Sequence, residues 1–171
     1  ADIPPSVAIS YEAPHRNIMD NYPVPRTKKI ISNKLFGFVF VQSILMTVYT
    51  CLAFSVISHS LNYDHTRART LAYTVLSSVQ LTHTYWCRYP FEYINSFKSF
   101  IDTFSSSSSV NYAVLLSFIL LIVSIYIPGF NNAIGITELN GVDWLITLCV
   151  VLIHGLLMQI VKLAMKILKI N

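Results

Sequence analysis

The chain alternates between long uncharged stretches and short polar ones. Asp, Glu, Lys and Arg are absent from residues 35–63, 70–87, 103–137 and 144–161. An α-helix rises about 1.5 Å per residue and the hydrocarbon core of a bilayer is about 30 Å thick, so roughly 20 apolar residues cross it. The pattern therefore predicts four membrane-spanning helices, at about 35–57, 70–87, 110–127 and 144–161.

The predicted fold is all-α, a polytopic membrane helix bundle of four transmembrane helices preceded by the end of a fifth. Residues 1–10 are mainly apolar but hold Asp2 and the pair Pro4-Pro5. We expect them to be the cytoplasmic end of a helix that begins upstream. Residues 11–34 are predicted to form a cytoplasmic loop and residues 35–171 the four-helix domain, which includes a cytoplasmic Ser-rich loop at 88–109.

Composition agrees with a membrane protein. Hydrophobic residues make up 54% of the chain and charged residues 12%, with a mean hydropathy of +0.56. A soluble domain carries about 25% charged residues. Four buried helices of a soluble bundle are the alternative, but such helices need a charged face, which these lack. Three cysteines lie in or beside the spans and are expected to be free thiols: Cys51, Cys87 and Cys149.

The distribution of positive charge predicts the orientation in the membrane. Ten of the twelve Lys and Arg residues precede the first span, follow the second or lie at the C-terminal end, and only Arg67 and Arg69 lie in the other loops. Cytoplasmic segments are enriched in Lys and Arg, so both termini are expected in the cytoplasm. The net charge of +4 is then a topology signal and gives no support for nucleic-acid binding.

Two local patterns carry further expectations. Lys162, Lys166 and Lys169 follow one another at helical spacing, and we expect all three to share one face of the last helix, from which they can extend to lipid headgroups; a solvated basic face without lipid specificity is the commoner alternative. Pro128-Gly129 predicts a turn on the exoplasmic side, because Pro fixes its φ and Gly permits a positive φ.

Polar residues inside the spans are the candidates for function, because burying them in a membrane is costly. The second span has a polar stripe at steps of three and four residues: Tyr73, Ser77, Gln80, His83 and Thr84. Such a stripe can coordinate a partly dehydrated cation, although packing against a neighbouring helix is its commoner role. Three isolated polar residues are expected to form interhelical hydrogen bonds: Gln42, His154 and Gln159.

The first 26 residues contain three stretches with a recognisable pattern: Asp2 to Glu12, Asn17-Ile18-Met19-Asp20, and Pro23 to Arg26. Together they resemble the end of the sixth transmembrane helix and the loop after it in the C-terminal membrane region of the P-type cation-transporting ATPases. The four spans would then be helices seven to ten. The sodium/potassium and proton/potassium pumps look closest, on Tyr11-Glu12, Gln42, Val79-Gln80, Tyr126 to Phe130 and Asp143-Trp144.

The resemblance implies three cation-binding residues. Asp2 corresponds to a coordinating carboxylate, and is the metal ligand, and Gln80 to a second coordinating group. His83 stands where the sodium/potassium branch usually has Asp, which puts a third sodium site in doubt. Ala1 likewise stands where the family usually has Thr.

The resemblance also implies what surrounds this chain. The family's Asp-Lys-Thr-Gly-Thr, Thr-Gly-Glu and fourth-helix Pro-Glu motifs do not occur in it. It is thus expected to hold no catalytic residues and no cofactor, with ATP and Mg²⁺ used by the full-length parent. The expected partners are a transported cation, sodium/potassium in preference to calcium, the lipid bilayer of the plasma membrane, and a small accessory subunit. A calcium pump and a free-standing four-helix structural protein remain the alternatives.

Overall fold

The structure is a bundle of helices, and its four long helices coincide with the four uncharged stretches. The computed structural model describes residues 3–11, 33–60, 64–88 and 107–167. The helices of these residues are α1 (Ile3–Ser10), α2 (Asn33–Ser60), α3 (His65–Arg88), α4 (Ser108–Tyr126), α5 (Pro128–Ile134) and α6 (Gly141–Ile167). The all-α prediction is confirmed for this part of the chain.

The boundaries of α4 and α5 follow from capping chemistry. Ser107 has an extended backbone, and its hydroxyl accepts a hydrogen bond from the Val110 N–H at 3.5 Å, so α4 begins inside the serine run. Pro128 lacks an N–H and cannot extend α4, but it suits the first position of a new helix. Pro128-Gly129 therefore starts the short helix α5, where the sequence predicted a turn.

The central helix of the bundle is α3. Among the described residues, three helices are long and apolar enough to cross a membrane: α2 over Leu35–Ser55, α4 and α6. The α3 helix, which holds the predicted second span, does not reach this apolar level because of its polar side chains. It packs against α1, α2, α4 and α6. These neighbours bury several of its own polar residues, such as Thr70, Thr74 and Ser78. The count of four spanning helices thus stays a prediction.

Side-chain pairs fix the relative direction of the long helices. Arg67 contacts Asp143 at the start of α3 and α6, and Trp86 contacts Lys162 near their ends, with a separation of 76 residues in both pairs. The two helices are therefore parallel and in constant register. Tyr85 near the end of α3 donates to Asn111 near the start of α4, so those helices are antiparallel.

The apolar core lies in the half of the bundle near the α5 end. Buried residues of α2, α3, α4 and the segment after α5 pack together there: Ala53, Leu71, Val75, Val79, Leu121, Ile125, Ile136 and Leu139. Most of the polar residues that the sequence indicated on α3 lie beyond this core, toward the C-terminal end of that helix. The core thus anchors α3 on one side of the candidate site.

Candidate cation site

A cavity of about 430 Å³ lies between α1, α2 and the second half of α3. Polar side chains from all three helices contribute to its wall: Ser6, Gln42, Ser43, Gln80, His83 and Thr84. Apolar side chains and Cys87 complete it. Hydroxyl and amide oxygens of this kind can replace part of the hydration shell of a cation.

Two of the three residues predicted to bind a cation share this cavity. Gln80 and His83 both line it, since they lie on one face of α3. Asp2 lies outside the described residues, which begin at Ile3. The adjoining helix α1 reaches the cavity through Ser6 and Ile9.

The α2 wall of the cavity is held by contacts with α6. Gln42 is buried, and its Nε2 lies 3.6 Å from the sulfur of Met158, in the geometry of a weak hydrogen bond. The expected interhelical hydrogen bond of Gln42 is therefore present, with a sulfur as the acceptor. Gln159 differs, because its Oε1 is buried without a hydrogen-bond partner among the described residues.

Behind His83 lies a second polar group that the sequence did not connect with it. The rings of His83 and His154 pack edge to face with their centres 5.5 Å apart, and Tyr49 packs in the same way on His154 at 5.7 Å. His154 has no exposed surface, and neither of its nitrogens has a hydrogen-bond partner among the described residues. The expected interhelical hydrogen bond of His154 is therefore absent.

Lys162 packs beside the C-terminal end of α3, at the same end of the bundle as the cavity. Its side chain is 2% exposed, its ammonium group donates to the Trp86 carbonyl at 3.3 Å, and the nitrogen lies 5.3 Å from the centre of the Trp86 ring. The predicted extension of Lys162 to lipid headgroups is therefore wrong. Its charge instead satisfies a carbonyl near the C-terminus of α3, which favours a cation there.

The N-terminal ends of α3 and α6 form a polar cluster that is separate from the cavity. Asp143 has no exposed surface, and its Oδ2 accepts from Arg67 at 2.8 Å and from the Asn140 N–H at 2.8 Å. Arg69 donates to the Gly135 carbonyl, and the Thr137 N–H donates to the Thr70 hydroxyl at 3.0 Å. This cluster ties the loop after α5 to α3 and lies away from the cavity.

The described residues alone do not form a complete metal site. They contain no group of three or more His, Cys, Asp or Glu side chains placed to hold a metal ion. A larger cavity of about 490 Å³ between α3, α4 and α6 also has some polar side chains in a mainly apolar wall, but it contains none of the predicted site residues. The cavity with Gln80 and His83 is therefore the candidate, and it offers neutral ligands without a described carboxylate.

Comparison with known proteins agrees with a membrane helix bundle. The model of the family described as cation transporting ATPase, C-terminus, matches residues 1–164 of this chain. The chain belongs to this family. A calcium-transporting ATPase of Bacillus subtilis (strain 168) is 26% identical over 148 residues, which are 84% of this chain and 16% of the bacterial protein. The chain thus spans less than a fifth of the length of that relative.

Membership of the family confirms part of what the sequence resemblance implied. The chain is a membrane component of the P-type cation-transporting ATPase kind, built of apolar helices. The family match names no particular cation, and the bacterial relative is a calcium transporter. The likeness to the sodium/potassium and proton/potassium branch receives no support from either.

Proposed function

We propose that this chain is the C-terminal membrane part of an ATP-driven cation pump and that the cavity between α1, α2 and α3 is part of its cation site. The observation that carries the proposal is the convergence of Gln80 and His83 with the polar side chains of α1 and α2 in one cavity. Members of a cation-transporting family must bind a cation within the membrane, and such a cavity offers polar groups for this.

The charge of the site is proposed to come from Asp2. The described wall of the cavity carries no carboxylate, and a cation leaving water needs compensation by negative charge. Asp2 directly precedes α1, which itself contributes Ser6 and Ile9 to the wall. The pair Pro4-Pro5 stands in the first turn of α1, where backbone N–H groups have no carbonyl partner within the helix, so it is compatible with a helix that starts beside Asp2.

We propose further that α3 spans the membrane, which gives four spans in all. Its 24 residues extend over about 36 Å, enough to cross the hydrocarbon core. Its low apolar content is tolerable because four neighbouring helices cover it. The positions of Lys and Arg support cytoplasmic termini, so the cavity lies in the cytoplasmic half of the bundle.

The identity of the cation remains open between two candidates. Residues such as Val79-Gln80 and Asp143-Trp144 suggest sodium/potassium, whereas the bacterial relative transports calcium. Phosphorylation of the full-length protein from ATP, with Mg²⁺ bound outside this chain, distinguishes them. Phosphorylation that depends on micromolar calcium supports a calcium pump, and dependence on sodium with reversal by potassium supports the other. The plasma membrane and an accessory subunit remain predictions.

A matched pair of substitutions tests the cavity itself. Gln80→Leu removes a polar group from the wall, whereas Gln159→Leu removes the same group from α6 outside it. The first variant is expected to raise the half-saturating cation concentration for phosphorylation by about tenfold, equivalent to one lost ligand of roughly 1.4 kcal/mol. The second is expected to leave it unchanged. Equal effects of both would refute a cation site in this cavity.

A further inference from the structure

Three side chains next to the cavity bury polar atoms that contact no partner. They are the Tyr49 hydroxyl, Nδ1 of His83, and both ring nitrogens of His154, and none has a hydrogen-bond partner among the described residues. The side chains come from α2, α3 and α6. His154 is fully buried. Tyr49 and His83 both pack against the ring of His154, so the three side chains form one group.

Burying these polar atoms without a hydrogen-bond partner costs free energy. A buried donor or acceptor that loses water and gains no partner costs about 1–3 kcal/mol. The rings meet edge to face and form no hydrogen bond with one another. A neutral imidazole offers one donor and one acceptor and a phenol offers both, so a small molecule that donates and accepts can bond to one polar atom of each side chain.

Water fits these requirements better than a metal ion does. A buried water makes two to four hydrogen bonds and occupies polar sites of this kind. A metal ion is disfavoured, because no three His, Cys, Asp or Glu side chains of the described segments converge here. The adjoining cavity, which His83 also lines, supplies a route by which water enters.

We propose that a water molecule is bound between Tyr49, His83 and His154, and that through it His154 positions His83 at the wall of the cavity. Nδ1 is the buried nitrogen of His83, so Nε2 is the nitrogen left to face the cavity. A hydrogen bond from water to Nδ1 fixes the orientation and tautomer of the ring, as second-shell partners do for metal-bound histidines. The functional half of this inference rests on the proposed cation site.

Hydroxyl-radical footprinting by X-ray radiolysis tests the water directly, because radicals formed from bound water oxidise the side chains that touch it. The measurement uses the full-length protein in lipid nanodiscs. Tyr49, whose hydroxyl is buried although its side chain is partly exposed, is expected to be oxidised several times faster than Phe38, a buried aromatic residue of the same helix with 4% exposure that serves as the internal reference. Equal rates in the unmodified protein would overturn the proposal, and this comparison requires no substitution to fold.

Two variants test the role of His154. His154→Gln keeps a group that can bond to the water, and His154→Leu does not. In the Leu variant the oxidation rate of Tyr49 relative to Phe38 is expected to fall several-fold, and in the Gln variant to persist. A rate that is unchanged in His154→Leu would show that the water is held by other groups and would refute the assignment.

Cation titration separates this inference from the proposed function. His154→Leu is expected to raise the half-saturating cation concentration about tenfold with the maximal phosphorylation level unchanged, and His154→Gln to restore most of the affinity. An unchanged affinity in His154→Leu would overturn the positioning role. If no cation stimulates the unmodified protein, the proposed function fails, whereas the water site is still decided by the footprint.

Discussion

At the scale of single residues, Lys162 departs furthest from what the sequence predicts. Helical spacing places Lys162 and Lys166 on one face, but it does not tell whether that face meets lipid or another helix. The structure buries Lys162 against Trp86 and leaves Lys166 exposed. Because Trp86 comes from a helix 76 residues earlier, no local pattern could reveal the contact.

Substitution of Lys162 is expected to destabilise the bundle. Lys162→Met keeps most of the side-chain length but leaves the Trp86 carbonyl without its donor and removes the charge over the ring. A loss of about 1–3 kcal/mol in the free energy of unfolding is expected, measured as a lower Tm in detergent. The exposed Lys166→Met is the control and is expected to change the Tm little. A Tm for Lys162→Met as high as that of the control would contradict the buried contact.

The candidate site was predictable from sequence only on the side of α3. Gln80 and His83 share a helical face that spacing alone reveals, and the structure brings both to one cavity. The contributions of Gln42, Tyr49 and His154 depend on how α2 and α6 are shifted along α3. Isolated polar residues in two different spans carry no signal of that shift, although their cost in a membrane marks each of them as significant.

At the scale of helices and turns, the uncharged stretches predict where the long helices lie but not what makes α3 different. Each predicted span falls within a helix or within one residue of its end. Whether its neighbours enclose α3 depends on how the helices pack. In the sequence, the polar stripe of α3 is the feature that indicates this enclosure. The helix α5 was missed because Pro128-Gly129 suits a turn and a helix start equally well.

The end of α5 depends on one glycine in a left-handed conformation. Gly135 has φ of +70°, and a Cβ placed there would lie 3.0 Å from a guanidinium nitrogen of Arg69. Gly135→Ala is expected to lower the free energy of unfolding by about 1 kcal/mol, because residues other than Gly rarely adopt this conformation. The measurement is again the Tm in detergent.

Gly129→Ala is the matched control for this change within the same helix. A Cβ at Gly129 would meet no atom within 4 Å, and Ala favours a helix over Gly. The control is expected to leave the Tm unchanged or slightly higher. A Gly135→Ala protein as stable as Gly129→Ala would mean that the left-handed cap of α5 contributes nothing to the fold.

At the scale of the whole molecule, the parallel pair of α3 and α6 organises the bundle. The Arg67–Asp143 ion pair ties the helices at one end and the Lys162–Trp86 contact at the other, and the candidate site lies toward the Lys162 end. Only one long helix, α4, lies between α3 and α6 along the chain, so α3 and α6 must cross in the same direction if all four long helices cross. The register of the pair therefore agrees with four spans and fixes which ends face the same side.

Accessibility of introduced cysteines tests this topology. In a background with Cys51, Cys87 and Cys149 replaced by Ser, single cysteines are introduced as Asp64→Cys and Ser108→Cys, both at exposed positions beyond the ends of α3. Because α3 is expected to cross the membrane with its end in the cytoplasm, a membrane-impermeant maleimide should label position 64 from the outside of sealed membranes. Position 108 should react only after permeabilisation, and the background protein should remain unlabelled. Reaction of both positions from one side would contradict a spanning α3, and would place the polar face of Gln80 and His83 outside the membrane interior that a cation site requires.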